Sequence, residues 1–180
     1  MATSATVSKS LFSAFDADRH DAIGLVLSAV LPLAVFVIFN GLAEANGLEA
    51  MFFAPLGLPG WLGAALHLMG LPLFGVARWM VAARGDAGHR AGWWIVGLMV
   101  GVGAFPFVVN PLDAFLLTVA SVSLVVVGLG AMVRVAEVDR KAAMVMAPGL
   151  AWLGFSAFVG LSFAAAWSPP FAVTNSQGAT

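Results

Sequence analysis

The residue with the most chemical potential in this sequence is His67, the one titratable side chain well inside the apolar stretch from Trp61 to about Val81, which has Arg78 near its end. Ionisable groups in such stretches are costly to bury and mark functional candidates. A neutral imidazole can ligate a metal, including the central metal of a tetrapyrrole, or hydrogen-bond a ligand. It can equally be a structural histidine bonded to a backbone carbonyl or a serine on a neighbouring helix, and both readings stand. No second His and no Asp or Glu at ligand spacing accompanies it, and the chain has no cysteine, so a multi-ligand metal centre is not expected. His20 and His89 read as exterior loop residues, and Asp113 as a carboxylate favoured at a helix N-terminus. No serine has a His and a carboxylate within plausible triad reach. Gly-rich phosphate loops and paired intramembrane carboxylates are also missing. The expectation is a protein that is not an enzyme, a pump or a proton-coupled transporter.

The elements that must position His67 follow from composition. Hydrophobic residues make up 61% of the chain and charged residues 9%, against roughly 45–50% and about 25% in soluble domains. Too little polar surface remains to cover a water-soluble fold. The expected class is an all-α membrane protein, a bundle of five transmembrane helices. Apolar runs long enough to cross the hydrocarbon core place the spans at about 22–43, 61–81, 91–110, 114–133 and 142–167. Asn110-Pro111-Leu112-Asp113 reads as the tight turn between the third and fourth, and Ser168-Pro169-Pro170 as the stop after the fifth. Lys9 and Arg19 precede the first span. Arg78, Arg84 and Arg90 lie at or between the facing ends of the second and third, and Arg134, Arg140 and Lys141 between the fourth and fifth. The other connections carry no basic residue, so the positive-inside rule predicts a cytoplasmic N-terminus and an exterior C-terminus. A net charge of −1 gives no reason to expect nucleic acid as a partner.

Residues 1–21 carry Asp16, Asp18, Arg19, His20 and Asp21 and do not read as a cleaved signal. Leu11, Phe12 and Phe15 at helical spacing fit either a frayed tail or a short helix in the headgroup plane. The longest exterior segment, Glu44 to Gly60, is rich in Met51, Phe52, Phe53, Leu56 and Leu58. It is expected to fold back over the bundle mouth or to lie in the interface, and its sharper reading is a lid over a ligand pocket. Pro32, Pro72, Pro106 and Pro148 fall inside spans and are expected to kink them. Gly97-xxx-Gly101 and Ser156-xxx-Gly160 are small-residue pairs suited to close helix packing or a dimer face. Five of the six tryptophans fall near span ends, as an aromatic belt requires. Trp152 lies deeper and is the candidate for lining a cavity.

Several of these residues also carry a family resemblance. Pro59-Gly60-Trp61 resembles the P-P-G-W of the TspO/MBR family of tryptophan-rich sensory or translocator proteins, with Gly75, Ala77 and Trp79 following on the same helix. Pro148-Gly149-Leu150-Ala151-Trp152-Leu153-Gly154-Phe155 looks like that family's P-Y-L-A-W-V-S-F, and Pro106 matches the proline of its N-x-x-W-S-P. The likeness covers about residues 22–167. Departures fall in the pocket. Leu58 replaces a proline, His67 a tryptophan and Leu71 a tyrosine, while Gly101 and Ala104 stand for Asn and Trp, and Phe158 and Gly160 for Tyr and Asn. The resemblance implies a five-helix bundle binding a flat hydrophobic ligand, a porphyrin, haem or other tetrapyrrole, or a carotenoid or sterol-like lipid, beneath the first loop. Its implied contacts are Trp61, His67, Leu71, Gly101, Ala104, Phe105, Pro106, Trp152, Phe155 and Phe158, with His67 as an axial ligand if the ring carries a metal. Implied too are a sensory, transport or regulatory role, membrane lipid and a homodimer as partners, and a bacterial inner membrane as location. The alternative is a non-catalytic accessory subunit of a larger photosynthetic or respiratory membrane complex.

Overall fold

The computed structural model describes residues 22–55, 57–109 and 112–167, with side chains as far as Ser162 apart from Ala114. The expected N-terminal interfacial helix, the C-terminal tail, Leu56, and the Asn110-Pro111 half of the expected turn lie outside the described residues. Six helices account for nearly all of the rest: α1 (Ala22–Ala45), α2 (Gly60–Leu68), α3 (Gly70–Ala82), α4 (Gly85–Val108), α5 (Ala114–Ala136) and α6 (Arg140–Trp167). No strand occurs among the described residues. Five stretches are long and apolar enough to cross a membrane, because α2 and α3 together form one, Gly60–Ala82. The chain is an integral membrane protein of all-helical architecture.

The second span is interrupted at Met69, and Pro72 supplies the reason. Three residues into α3, it has no N–H for the Leu68 carbonyl and its ring crowds that carbonyl. Met69 keeps helical dihedrals (φ −56°, ψ −28°), so the span continues past the break. At Pro32, Pro106 and Pro148 the helices run on without interruption. The third span begins at Gly85 rather than at residue 91. The apolar run marks the part of a helix that lipid can hold, whereas the polar turn Asp86–Arg90 is helical without belonging to that run. At the other end, Asp113 caps α5 as expected, accepting the Leu116 N–H at 2.8 Å.

Helix α3 is the centre of the bundle, packed against α1, α4 and α6, while α5 closes the far side against α4 and α6. Its inward residues Leu71, Phe74, Ala77 and Val81 are buried almost completely, with Ile95, Leu98 and Val102 of α4 and Met146 of α6 around them. Most of α1 faces outward. Lipid is as apolar as leucine, so close van der Waals fit and interhelical hydrogen bonds must hold such helices together. Of the glycines in the small-residue pairs the sequence suggested, Gly101 makes a close approach, to the Leu124 side chain, while Gly97 and Gly160 have open space where a Cβ would stand. Backbone of neighbouring helices also comes close at Gly75, where a Cβ would collide with the Ser28 carbonyl of α1, and at Gly149, where it would lie 3.0 Å from Gly70 Cα and 2.9 Å from the Phe74 ring.

The described basic residues gather at one end of the bundle, around the α3–α4 and α5–α6 connections. There Arg84 pairs with Asp139 at 2.7 Å, joining the two turns. Asp139 also caps α6, accepting the N–H groups of Lys141 at 2.8 Å and Ala142 at 3.2 Å. Desolvation pushes its carboxyl pKa up. The Ala142 N–H, the Arg84 guanidinium and the Lys141 N–H together outweigh that effect and hold it below the usual carboxylate value.

Candidate functional site

At the opposite end, residues 51–55 leave α1's connection and turn into the bundle mouth. Helix α2 makes room for them. Gly63 and His67, four residues apart, share its inward face, and the missing Cβ of Gly63 lets the Phe53 carbonyl lie directly on the helix. Its N-cap Pro59 offers no side-chain bond, so the anchoring comes from tertiary contacts.

His67 is 8% exposed. Its Nε2 lies 2.9 Å from the Val102 carbonyl oxygen of α4. A carbonyl can only accept, so Nε2 carries the proton and donates it, leaving the lone pair of the neutral ring on Nδ1. That carbonyl is available because its usual helical partner would be residue 106, which is proline. His67 therefore fills the hydrogen bond that Pro106 deletes. The Pro106 carbonyl, at the end of α4, in turn accepts the Met51 N–H at 2.8 Å. Both acceptors around Pro106 are thus served from outside the helix, one by α2 and one by the inserted segment.

Aromatic rings surround this centre. Phe105 stacks on His67 with centroids 6.0 Å apart and planes 27° apart. Phe52 meets His67 edge-on at 5.9 Å and Phe36 at 6.2 Å, and Phe36 continues to Phe107 at 5.8 Å. Phe53 lies beside Trp152 at 6.5 Å, which neighbours Phe155 at 5.8 Å. Between them is a cavity of about 30 Å³ lined by Met51, Phe52, Phe53, His67, Phe105, Ser121, Leu124, Leu153 and Ser156. The expected fold-back over the mouth is therefore present, and it goes further than a cap: two half-buried phenylalanines reach in among the rings of the bundle. The indole Nε1 of Trp152 is buried without a hydrogen-bond partner, although the ring does not belong to the cavity wall.

Of the residues singled out from sequence, His67 and Phe105 line the cavity, and Pro106 and Trp152 adjoin it. Gly101 packs against Leu124, 2.8 Å from where its Cβ would be, just outside the wall. Leu71 is core rather than wall. Trp61 is 71% exposed and Phe158 67% exposed, and Ala104 is also on the outer surface. Helical phase explains these three. Ala104 stands about 200° round α4 from buried Val102, Phe158 about 140° round α6 from buried Leu153, and Trp61 about 240° round α2 from His67. Phe155, on the same turn as Trp152, is partly exposed. Reading residues singly missed Ser121, Leu124, Leu153 and Ser156. The serines had a signal, as hydroxyls inside apolar spans bond to their own helix and can still face a cavity. Ser121 Oγ donates to Leu117 O at 2.7 Å and Ser156 Oγ to Trp152 O at 2.9 Å. Among the described residues no group of His, Asp and Glu could hold a metal ion.

Fold and site together define a five-span integral membrane protein with a polar centre lying beneath an aromatic segment. No family model matches the chain, and neither a curated protein nor a solved structure matches it.

Proposed function

We propose that this protein binds a flat hydrophobic ligand, a tetrapyrrole or a carotenoid or sterol-like lipid, where residues 51–55 now enter the bundle, in a sensory, transport or regulatory role of the TspO-like kind. The observation that carries this reading is the insertion of Phe52 and Phe53 among the rings of Phe36, His67, Phe105 and Trp152. Ligand pockets are mostly apolar and aromatic with a few convergent polar groups, and this wall has that character. Such pockets measure about 300–1,000 Å³, whereas the present cavity is about 30 Å³. A ring-sized ligand must therefore take the places of Phe52 and Phe53. The segment that carries them has no regular secondary structure. Its ring contacts are each worth about 0.5–1.5 kcal/mol, and its main-chain tie to Pro106 about 0.5–1.5 kcal/mol, so displacement costs a few kcal/mol. A flat ligand regains much of that by meeting the same faces. If the ring carries a metal, Nδ1 is the imidazole atom with a lone pair to offer, since Nε2 is committed to Val102.

The same reading sets the basic end of the bundle on the cytoplasmic side and the aromatic mouth on the exterior. Protoporphyrin titrated into the purified protein in lipid nanodiscs, followed by tryptophan fluorescence, tests the ligand site. Saturable quenching is expected. Phe52→Ala, which removes part of the intramolecular plug, is expected to tighten binding by about 2–10-fold, the equivalent of one aromatic contact. Quenching that never saturates, or that grows only as the dye partitions into empty discs, overturns the proposal.

A further inference from the structure

We infer that the cavity selects neutral hydrophobic molecules that donate a hydrogen bond, such as alcohols, phenols or N–H heterocycles, over equally sized molecules that only accept one. The inference rests on the reading that the cavity is a binding site, and it specifies that site's ligand chemistry.

Its basis is the direction of three hydrogen bonds. His67, Ser121 and Ser156 are the polar side chains of the cavity wall. Each lies within 2.9 Å of a backbone carbonyl: Val102 for His67, Leu117 for Ser121 and Trp152 for Ser156. Carbonyl oxygens have no proton, so the side chain is the donor in all three cases. A neutral imidazole has one N–H and a serine has one O–H, and each is spent on the backbone. What these groups can still offer is lone pairs, on Nδ1 of His67 and on the two hydroxyl oxygens. The other lining side chains, Met51, Phe52, Phe53, Phe105, Leu124 and Leu153, have no N–H or O–H at all. Trp152 Nε1, a buried donor without a partner, stands outside the wall. The side chains facing the cavity therefore accept and do not donate.

Turning a serine hydroxyl to a ligand acceptor only exchanges one hydrogen bond for another, since Leu117 O and Trp152 O keep their helical N–H partners, whereas a ligand donor adds a bond and breaks none. For His67 the cost is larger, because Pro106 denies Val102 its helical partner and the carbonyl would be left unpaired away from water. A ligand carbonyl or ether oxygen therefore gains no net hydrogen bond here, whereas an O–H or N–H gains one. The lining contains no carboxylate, so a charged ammonium would enter without a counter-ion, and the donor should be neutral.

Three molecules of nearly equal shape test this: 1-naphthol as donor, 1-methoxynaphthalene as acceptor only, and naphthalene with neither. Each is titrated into the nanodisc protein, with partition into protein-free discs subtracted. One net hydrogen bond is worth about 0.5–1.5 kcal/mol, or roughly 2–12-fold. The expected result is saturable binding of all three, with 1-naphthol several-fold tighter than both analogues. In a Ser121→Ala/Ser156→Ala variant, which keeps both helices' backbone bonds, the preference should shrink while naphthalene binds as before. Equal affinities, or a naphthol preference that the double variant leaves untouched, overturn the donor rule but leave the site standing. Failure of all three to bind saturably refutes the site, and the donor rule with it.

Discussion

Replacing His67 by alanine should cost stability in proportion to what Pro106 has taken from Val102. In the wild type, the Val102 carbonyl receives no helical N–H and is served by His67 Nε2 at 2.9 Å. His67→Ala leaves a buried acceptor with nothing, at about 1–3 kcal/mol, plus a cavity term for the lost ring. In a Pro106→Ala background, residue 106 regains an N–H that can close the ordinary helical bond to Val102. The same His67→Ala change then forfeits a redundant hydrogen bond and the same ring volume. The cavity term cancels in the double-mutant cycle, and the coupling energy isolates the carbonyl. We expect about 1–2 kcal/mol, near the upper end of measured interhelical hydrogen bonds in membranes. The four proteins would be unfolded reversibly in mixed micelles of increasing SDS fraction, followed by circular dichroism and tryptophan emission. A coupling below about 0.3 kcal/mol, the ordinary scatter of additive sites, refutes the idea that His67 stands in for the missing N–H.

The remaining predictions concern the basic end. Asp139 has a depressed pKa in the folded protein, so its contribution is present in full above the unfolded-state value of about 3.9 and disappears as pH falls through the folded value. Thermal scans should lose stability below about pH 4, and Asp139→Asn should flatten that loss while costing less at neutral pH than the about 1 kcal/mol of a deleted cap, since asparagine caps about as well as aspartate. The Arg84 pair adds little, because that guanidinium is more than half exposed; an unchanged acid limb in the variant would count against the assignment. For orientation, the natural absence of cysteine permits single-cysteine labelling with a membrane-impermeant maleimide. Glu49→Cys should react in intact cells and Asp86→Cys only after permeabilisation, and the reverse pattern would invert the proposed topology.

How far the sequence could be read differed between architecture and site, for a physical reason. Span number and approximate limits were legible because lipid imposes one condition on every crossing segment: length and apolarity. The inward face of each span was not legible in the same way. In water, an inward stripe is apolar and the outward one polar, so periodicity reveals the core. In lipid both faces are apolar, and Phe158 or Trp61 looks as much like a pocket residue as Phe105 does. Expectations taken from short motifs therefore mixed wall residues with lipid-facing ones. The Glu44–Gly60 segment was legible as a fold-back because Met51, Phe52 and Phe53 are too apolar for a solvated loop. Which of its rings would enter the bundle depended on Gly63, whose role as a seat for the Phe53 carbonyl no spacing rule signals.

A stronger signal lies in the prolines, and it concerns the residues four positions before them. Each proline inside a span removes the N–H that would have served the carbonyl one turn earlier. Pro106 frees Val102 O, and His67 donates to it. Pro32 frees Ser28 O, and that carbonyl is the atom against which Gly75 brings α3 up to α1. Two of the bundle's tertiary contacts thus sit on carbonyls that proline released, one met by an imidazole N–H and the other by a glycine close enough for a weak Cα–H contact. The converse case supports the connection. Pro148 faces outward at an exposed position of α6, and the carbonyl it frees, on Met144, belongs to a residue that is 72% exposed, near the basic end where headgroups and water can serve it. In a bilayer interior an unpaired carbonyl has no water to turn to, so a deep proline requires a partner from another helix. That requirement explains why the one ionisable side chain deep in the described spans is a histidine that donates to a backbone carbonyl, and why the lone pair left over, rather than the proton, faces any ligand.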